Sequence, residues 1–141
     1  MLSPYVIAII ISWLCAHLIK YILLCNKKKS IKIGLEVFDS GGMPSAHTAI
    51  LSSVAIMIGL IDGFDSGLFA LAVVMLMIIM HDALRVRRST GEQGLAIIQM
   101  IKEQKSNVEI PHISKGHTPL EVAFGLLLGI AIGTIVFLAT K

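Results

Sequence analysis

Residues 45–84 read SAHTAILSSVAIMIGLIDGFDSGLFALAVVMLMIIMHDAL. Two apolar runs, Ser45 to Ile61 and Gly67 to Leu84, flank the connector Asp62-Gly63-Phe64-Asp65-Ser66. Each run is close to the lower limit of roughly 17 residues for a helix that crosses a bilayer. A connector this short, built of Gly, Asp and Ser, is a tight turn, so the runs form an antiparallel pair. The segments before and after the pair must therefore lie on one side of the membrane.

The flanks carry the same pattern. Tyr5 to Cys25 is a further apolar run, interrupted by His17 and Lys20, and Leu120 to Thr140 is the last. Only 15% of the 141 residues are charged, against roughly 25% in soluble domains. Mean hydropathy is +0.84. The expected fold is an all-α polytopic membrane bundle, one domain over 1–141, with about four transmembrane helices. The N-terminal run lacks a charged leader and a small-residue cleavage site and reads as a retained span. Cys15 and Cys25, ten residues apart on one helix, cannot bridge.

Between Arg85 and His117, Leu95, Ile98 and Ile101, flanked by Ile97 and Met100, recur at helical spacing. That predicts an amphipathic helix lying on the membrane surface. The polar segments Asn26 to Pro44 and Arg85 to His117 share one face. They hold Lys27, Lys28, Lys29, Lys32, Arg85, Arg87, Arg88, Lys102, Lys105 and Lys115. Cations beside apolar spans mark topology or meet lipid headgroups, and a net charge of +3 does not argue for nucleic acid. The excess predicts a cytoplasmic motif face in a cell membrane, with both termini outside.

Three polar motifs converge on that face. Ser40-Gly41-Gly42-Met43-Pro44-Ser45-Ala46-His47-Thr48-Ala49 enters the second span. Its glycines permit a tight turn, and Ser45 can cap a helix whose first turn carries His47 beside exposed amides. Asp82-Ala83-Leu84-Arg85-Val86-Arg87-Arg88-Ser89-Thr90-Gly91-Glu92-Gln93 leaves the third span. Its arginines suit phosphate, and Asp82 can fix one of their rotamers. Lys115-Gly116-His117-Thr118-Pro119-Leu120-Glu121-Val122 enters the last span. Thr118 to Glu121 fits a capping box with Pro119 at the first helical position, while Glu121 is also placed to orient His117.

Singly, the first motif reads as an ordinary loop-to-helix cap with an interfacial histidine, while the second reads equally well as a positive-inside anchor and the third as a capping box. Jointly, two histidines at helix starts, an arginine cluster and a carboxylate on one face suggest phosphoryl transfer through a phosphohistidine. No cofactor or metal is expected.

The strings themselves resemble a known family. Pro44-Ser45-Ala46-His47 is similar to the Pro-Ser-Gly-His motif of the type-2 phosphatidic acid phosphatase and vanadium haloperoxidase superfamily. Ser40 to Ala49, Asp82 to Gln93 and Gly116 to Val122 are closer to its divergent, short bacterial and plastid branch, and the likeness runs from Ser40 to Gly125. The resemblance implies His117 as nucleophile, His47 as general acid and Glu121 as the residue orienting His117. Ser45 and the neighbouring amides, Ala46 included, would contact phosphate, supported by Gly42 and Gly116.

Ala46 stands where the family has glycine, and Glu121 where it has aspartate. The usual Ser-Arg pair before the nucleophile and the first Lys-x6-Arg-Pro motif are absent, since only Ser114 and Lys115 precede Gly116. Any guanidinium clamp must come from Arg85, Arg87 or Arg88, and Lys20, Lys32 or Lys115 stands in for the missing lysine. The implied function is a phosphatase of a lipid phosphate or lipid-linked diphosphate. The alternatives are a non-catalytic binder or transporter of phosphorylated lipid that keeps the anion site, and a structural membrane subunit.

Other features read as packing. Gly125, Gly129 and Gly133 form a stripe that lets helices approach within the chain or between copies, as in a homodimer. Met75, Met77 and Met80 read as packing, and so do His17 and Lys20, the lysine snorkelling to the interface.

Overall fold

The computed structural model describes residues 2–28, 41–105, 108–110, 113 and 116–141. Among the described residues five helices run in order: α1 (Pro4–Lys28), α2 (Ala46–Asp62), α3 (Gly67–His81), α4 (Arg87–Glu103) and α5 (Pro119–Thr140). A π-helical turn, Asp82–Val86, joins α3 to α4. No strand occurs among the described residues. The architecture is the expected all-α membrane bundle. α1, α5 and the run from α3 into α4 are each long and apolar enough to cross a bilayer. α2 is shorter at 17 residues, which at 1.5 Å per residue is about 26 Å.

α2 lies at the centre, packed on α1, α3 and α5. Small residues explain why. Thr48, Ala49, Ser52, Ser53, Ala55 and Gly59 of α2 are all buried. The Ser52 hydroxyl donates back to the Thr48 carbonyl at 2.8 Å and that of Ser53 to Ile50 at 2.8 Å, so neither leaves an unsatisfied group in an apolar environment. Opposite them stands the glycine stripe of α5. A Cβ on Gly125 would fall 2.5 Å from the Ser45 carbonyl oxygen, and one on Gly129 or Gly133 would run into Ser52 and Ala49 or into Ile56 and Ser53. The stripe is thus filled by α2 of the same chain and leaves no room for a second copy on that face. Ala8, Met57, Ile132 and Val136 form the core toward the far end, where the Tyr5 hydroxyl donates to Asp62.

α3 is peripheral and buries none of its residues. The sequence reading ends this span at Leu84, but the helix continues without a break from Gly67 to Glu103, 37 residues. At 1.5 Å per residue that is about 55 Å, well beyond the roughly 30 Å hydrocarbon core. The amphipathic segment therefore extends α3 instead of starting as a separate helix. Ser66 caps α3 by accepting from the Phe69 amide at 3.1 Å.

Candidate functional site

Three backbone contacts bring the motifs together at the end of the bundle opposite the Asp62 turn. The Ser45 amide donates to the Glu121 carbonyl at 3.0 Å, joining the first motif to the third. The His117 amide donates to the Ala83 carbonyl at 3.1 Å, joining the third to the second. Gly116, at φ +66°, lies so close to the start of α4 that a Cβ would meet the Arg88 amide nitrogen at 2.7 Å. Both the left-handed backbone and the close approach require glycine there.

His117 is buried, with 8% of its surface exposed. Its Nδ1 lies 3.1 Å from Glu121 Oε2, and the same oxygen accepts from the Thr118 amide at 3.0 Å. The Glu121 amide in turn donates to the Thr118 hydroxyl at 3.3 Å, completing a capping box. Glu121 therefore caps the helix and holds the imidazole at once. A carboxylate only accepts, so Nδ1 carries the proton and a neutral ring keeps its lone pair on Nε2. Burial pushes the His117 pKa down. Glu121 and a backbone hydrogen bond at Gly42 pull it up, while the Lys20 charge adds to the lowering. The net displacement is below the ordinary histidine value, which favours the neutral ring.

The π turn shapes the second motif. In an α-helix, residues five apart point about 140° away from each other. Here the Arg87 amide bonds five residues back to the Asp82 carbonyl, which brings the two side chains onto one side. Arg87 Nε then meets Asp82 Oδ2 at 2.5 Å. Single π turns of this kind are frequent at functional sites. The three arginines separate in consequence. Arg87 bears electrostatically on His47, as do His117, Asp82 and His17. Arg85 and Arg88 instead line a cavity of about 670 Å³ with Leu84, Ser89, Glu92 and Pro119, and Arg88 Nε pairs with Glu92 at 3.3 Å.

Ser45 is placed differently from the expectation. It is fully buried, its amide is committed to Glu121, and its hydroxyl pairs with the Thr48 hydroxyl at 2.9 Å without capping α2. The amides of Ala46, His47 and Thr48 come before the first intrahelical bond, from Ala49 to Ser45, so the anion-favouring end of the helix belongs to them. His47 itself is exposed.

α1 supplies what the sequence reading assigned to packing. Lys20 does not snorkel outward: it is buried at 8% exposure, and a Cβ on Gly42 (φ +84°) would sit 3.1 Å from its Cε. Its charge acts on His117. Three residues earlier, His17 donates through Nδ1 to the Trp13 carbonyl at 2.8 Å and acts on His47. The available signal was an ionisable pair one turn apart inside an apolar run, which marks function by default. Lys32, Ser114 and Lys115 lie outside the described residues.

A family model described as "Divergent PAP2 family" matches residues 2–132. The match takes in α1, and with it Lys20, well upstream of the motif strings. A Bacillus subtilis protein named "Uncharacterized membrane protein YuiD" is 36% identical over 109 residues, 67% of this chain and 69% of its own length. No solved structure matches.

Proposed function

The chain belongs to the divergent PAP2 family, and on that premise we propose that it is a membrane phosphatase of a lipid phosphate or lipid-linked diphosphate. The observation that carries the reading is the His117–Glu121 pair: a buried imidazole held through Nδ1 by a carboxylate, with its pKa lowered. The lowered pKa favours the neutral ring, and the Nδ1 contact leaves Nε2 as the nitrogen that attacks in the proposed reaction.

In the proposed reaction, His117 Nε2 attacks phosphorus. A P–N bond forms, the bond from phosphorus to the lipid oxygen breaks, and His47 gives a proton to the departing alkoxide. Water then attacks the phosphohistidine, the P–N bond breaks with its electron pair returning to Nε2, and His47 takes the proton from water. Inorganic phosphate leaves. Lys20, Arg87 and the first amides of α2, Ala46 among them, stabilise the charge on the equatorial oxygens. Asp82 holds Arg87 in place. Arg85 and Arg88 stand outside this clamp, in their own cavity. The excess of Lys and Arg at the motif end supports a cytoplasmic site.

The test is phosphate release from phosphatidic acid by purified protein in detergent with chelator present. The expected result is turnover that vanadate inhibits and that His117→Ala abolishes. Lipid binding that needs Lys20 and Arg87, with no turnover, replaces the enzyme by a binding protein.

A further inference from the structure

A groove of about 290 Å³ opens on the side of the bundle, lined by Ile19, Met43, Pro44, Phe124, Leu127 and Leu128. Among the described residues none that lines it is polar, in contrast to the arginine-lined cavity at the start of α4. We infer that this groove between α1, the Met43–Pro44 segment and α5 seats the hydrocarbon tail of the substrate, which reaches the phosphate site sideways from the bilayer. The inference rests on the proposed reading of the site and names the part of the substrate that the site leaves unread.

Chain connectivity ties the groove to the site. Ile19 immediately precedes Lys20, and Met43 and Pro44 link Gly42, which covers Lys20, to Ser45, which is bonded to Glu121. Phe124 lies three residues beyond Glu121 on α5, and Leu128 lies seven beyond. Seven residues of helix are about 10 Å, so the groove starts at the level of the phosphate site and descends into the hydrocarbon. Its outer wall is open: Phe124 is 46% exposed and Leu127 63%, facing lipid in a membrane. A lipid whose phosphate lies between Lys20 and Arg87 needs an apolar path for its first methylenes, and this groove adjoins the site. At the low end of ligand-pocket volumes, it takes part of one chain and leaves the rest in the bilayer.

Photolabelling tests the inference without depending on turnover. Full-length His117→Ala protein in phosphatidylcholine vesicles is irradiated with a phosphatidic acid carrying a diazirine on its proximal methylenes. Labelling at Phe124 or Leu127 that unlabelled phosphatidic acid displaces, and diacylglycerol does not, is the expected result. Label elsewhere, or label that both lipids displace equally, overturns it, because the groove then holds only surrounding lipid.

A kinetic arm uses Leu127→Trp, which fills the groove from its open side. Its kcat/KM for a long-chain lipid phosphate should fall by about tenfold, the equivalent of roughly 1.4 kcal/mol or about two buried methylenes. Turnover of a short-chain, water-soluble phosphate ester should be unchanged, and an equal fall for both substrates overturns the inference. Competed labelling without phosphate release in the wild type would remove the phosphatase reading and leave the groove assignment intact.

Discussion

Replacing Lys20 with methionine separates a catalytic cation from a structural one. The residue is buried to 8% exposure with its Cε close to Gly42, and its charge acts on His117. Methionine keeps the length of the side chain and removes the charge. Burying an ammonium costs several kcal/mol, and removing one member of a buried polar contact leaves its partner uncompensated, so Lys20→Met can lower stability as well as activity. Thermal unfolding of Lys20→Met and Lys20→Arg is therefore measured beside kcat. Catalysis should fall further than any loss of folded protein explains. Loss of one preorganised group that stabilises developing charge costs about 10²–10³-fold in kcat, or roughly 3–4 kcal/mol. The pH profile gives a third readout. Lys20 lowers the His117 pKa, so its removal raises that pKa and shifts the acid limb of kcat/KM to higher pH. Lys20→Arg keeps the charge and should keep the limb near its original position. The assay is phosphate release from short-chain phosphatidic acid in detergent between about pH 5 and 8, alongside thermal unfolding. Wild-type kcat in Lys20→Met, or a loss that merely follows unfolding, would refute a phosphate-binding Lys20.

Glu121→Gln should shift the acid limb to lower pH, opposite in sign to Lys20→Met, because the carboxylate raises the His117 pKa. A fall in kcat of roughly 10²–10⁴-fold should accompany it, measured on the same pH series. Arg87→Lys should cost about 10²-fold in kcat, since an ammonium cannot reproduce the Nε contact with Asp82, whereas Arg85→Ala and Arg88→Ala should leave steady-state turnover of a short-chain substrate nearly intact. Gly129→Leu should destabilise by about 3 kcal/mol or more, because its side chain must displace Ser52 and the Ala49 backbone. Gly67→Ala, with nothing within 4 Å of the added carbon, is the matched control in a denaturant titration.

The spans were legible because hydropathy and the turn at Asp62–Ser66 are local signals, and α2, α3 and α5 begin at Ala46, Gly67 and Pro119, within a residue of where the apolar runs start. The Thr118–Glu121 box was readable for the same reason. What stayed hidden depends on packing between distant elements. The spacing of Asp82 and Arg87 matches no α-helical pair, and only the π turn makes them neighbours. The commitment of Ser45 to Glu121 follows from the depth at which the Gly125 stripe seats α2. Lys20 could have snorkelled outward on an isolated helix, and its burial against the Gly42 turn exists only in the packed bundle.

The central claim is that His117 Nε2 becomes bonded to phosphorus. Purified protein mixed briefly with ³²P-labelled phosphatidic acid, then quenched in alkali where phosphohistidine survives, should carry label on the peptide containing His117. His47→Ala should accumulate that label if the ring assists hydrolysis of the intermediate, and His117→Ala should carry none. Turnover with no label on His117 at any quench time, or label on another residue, would contradict the account.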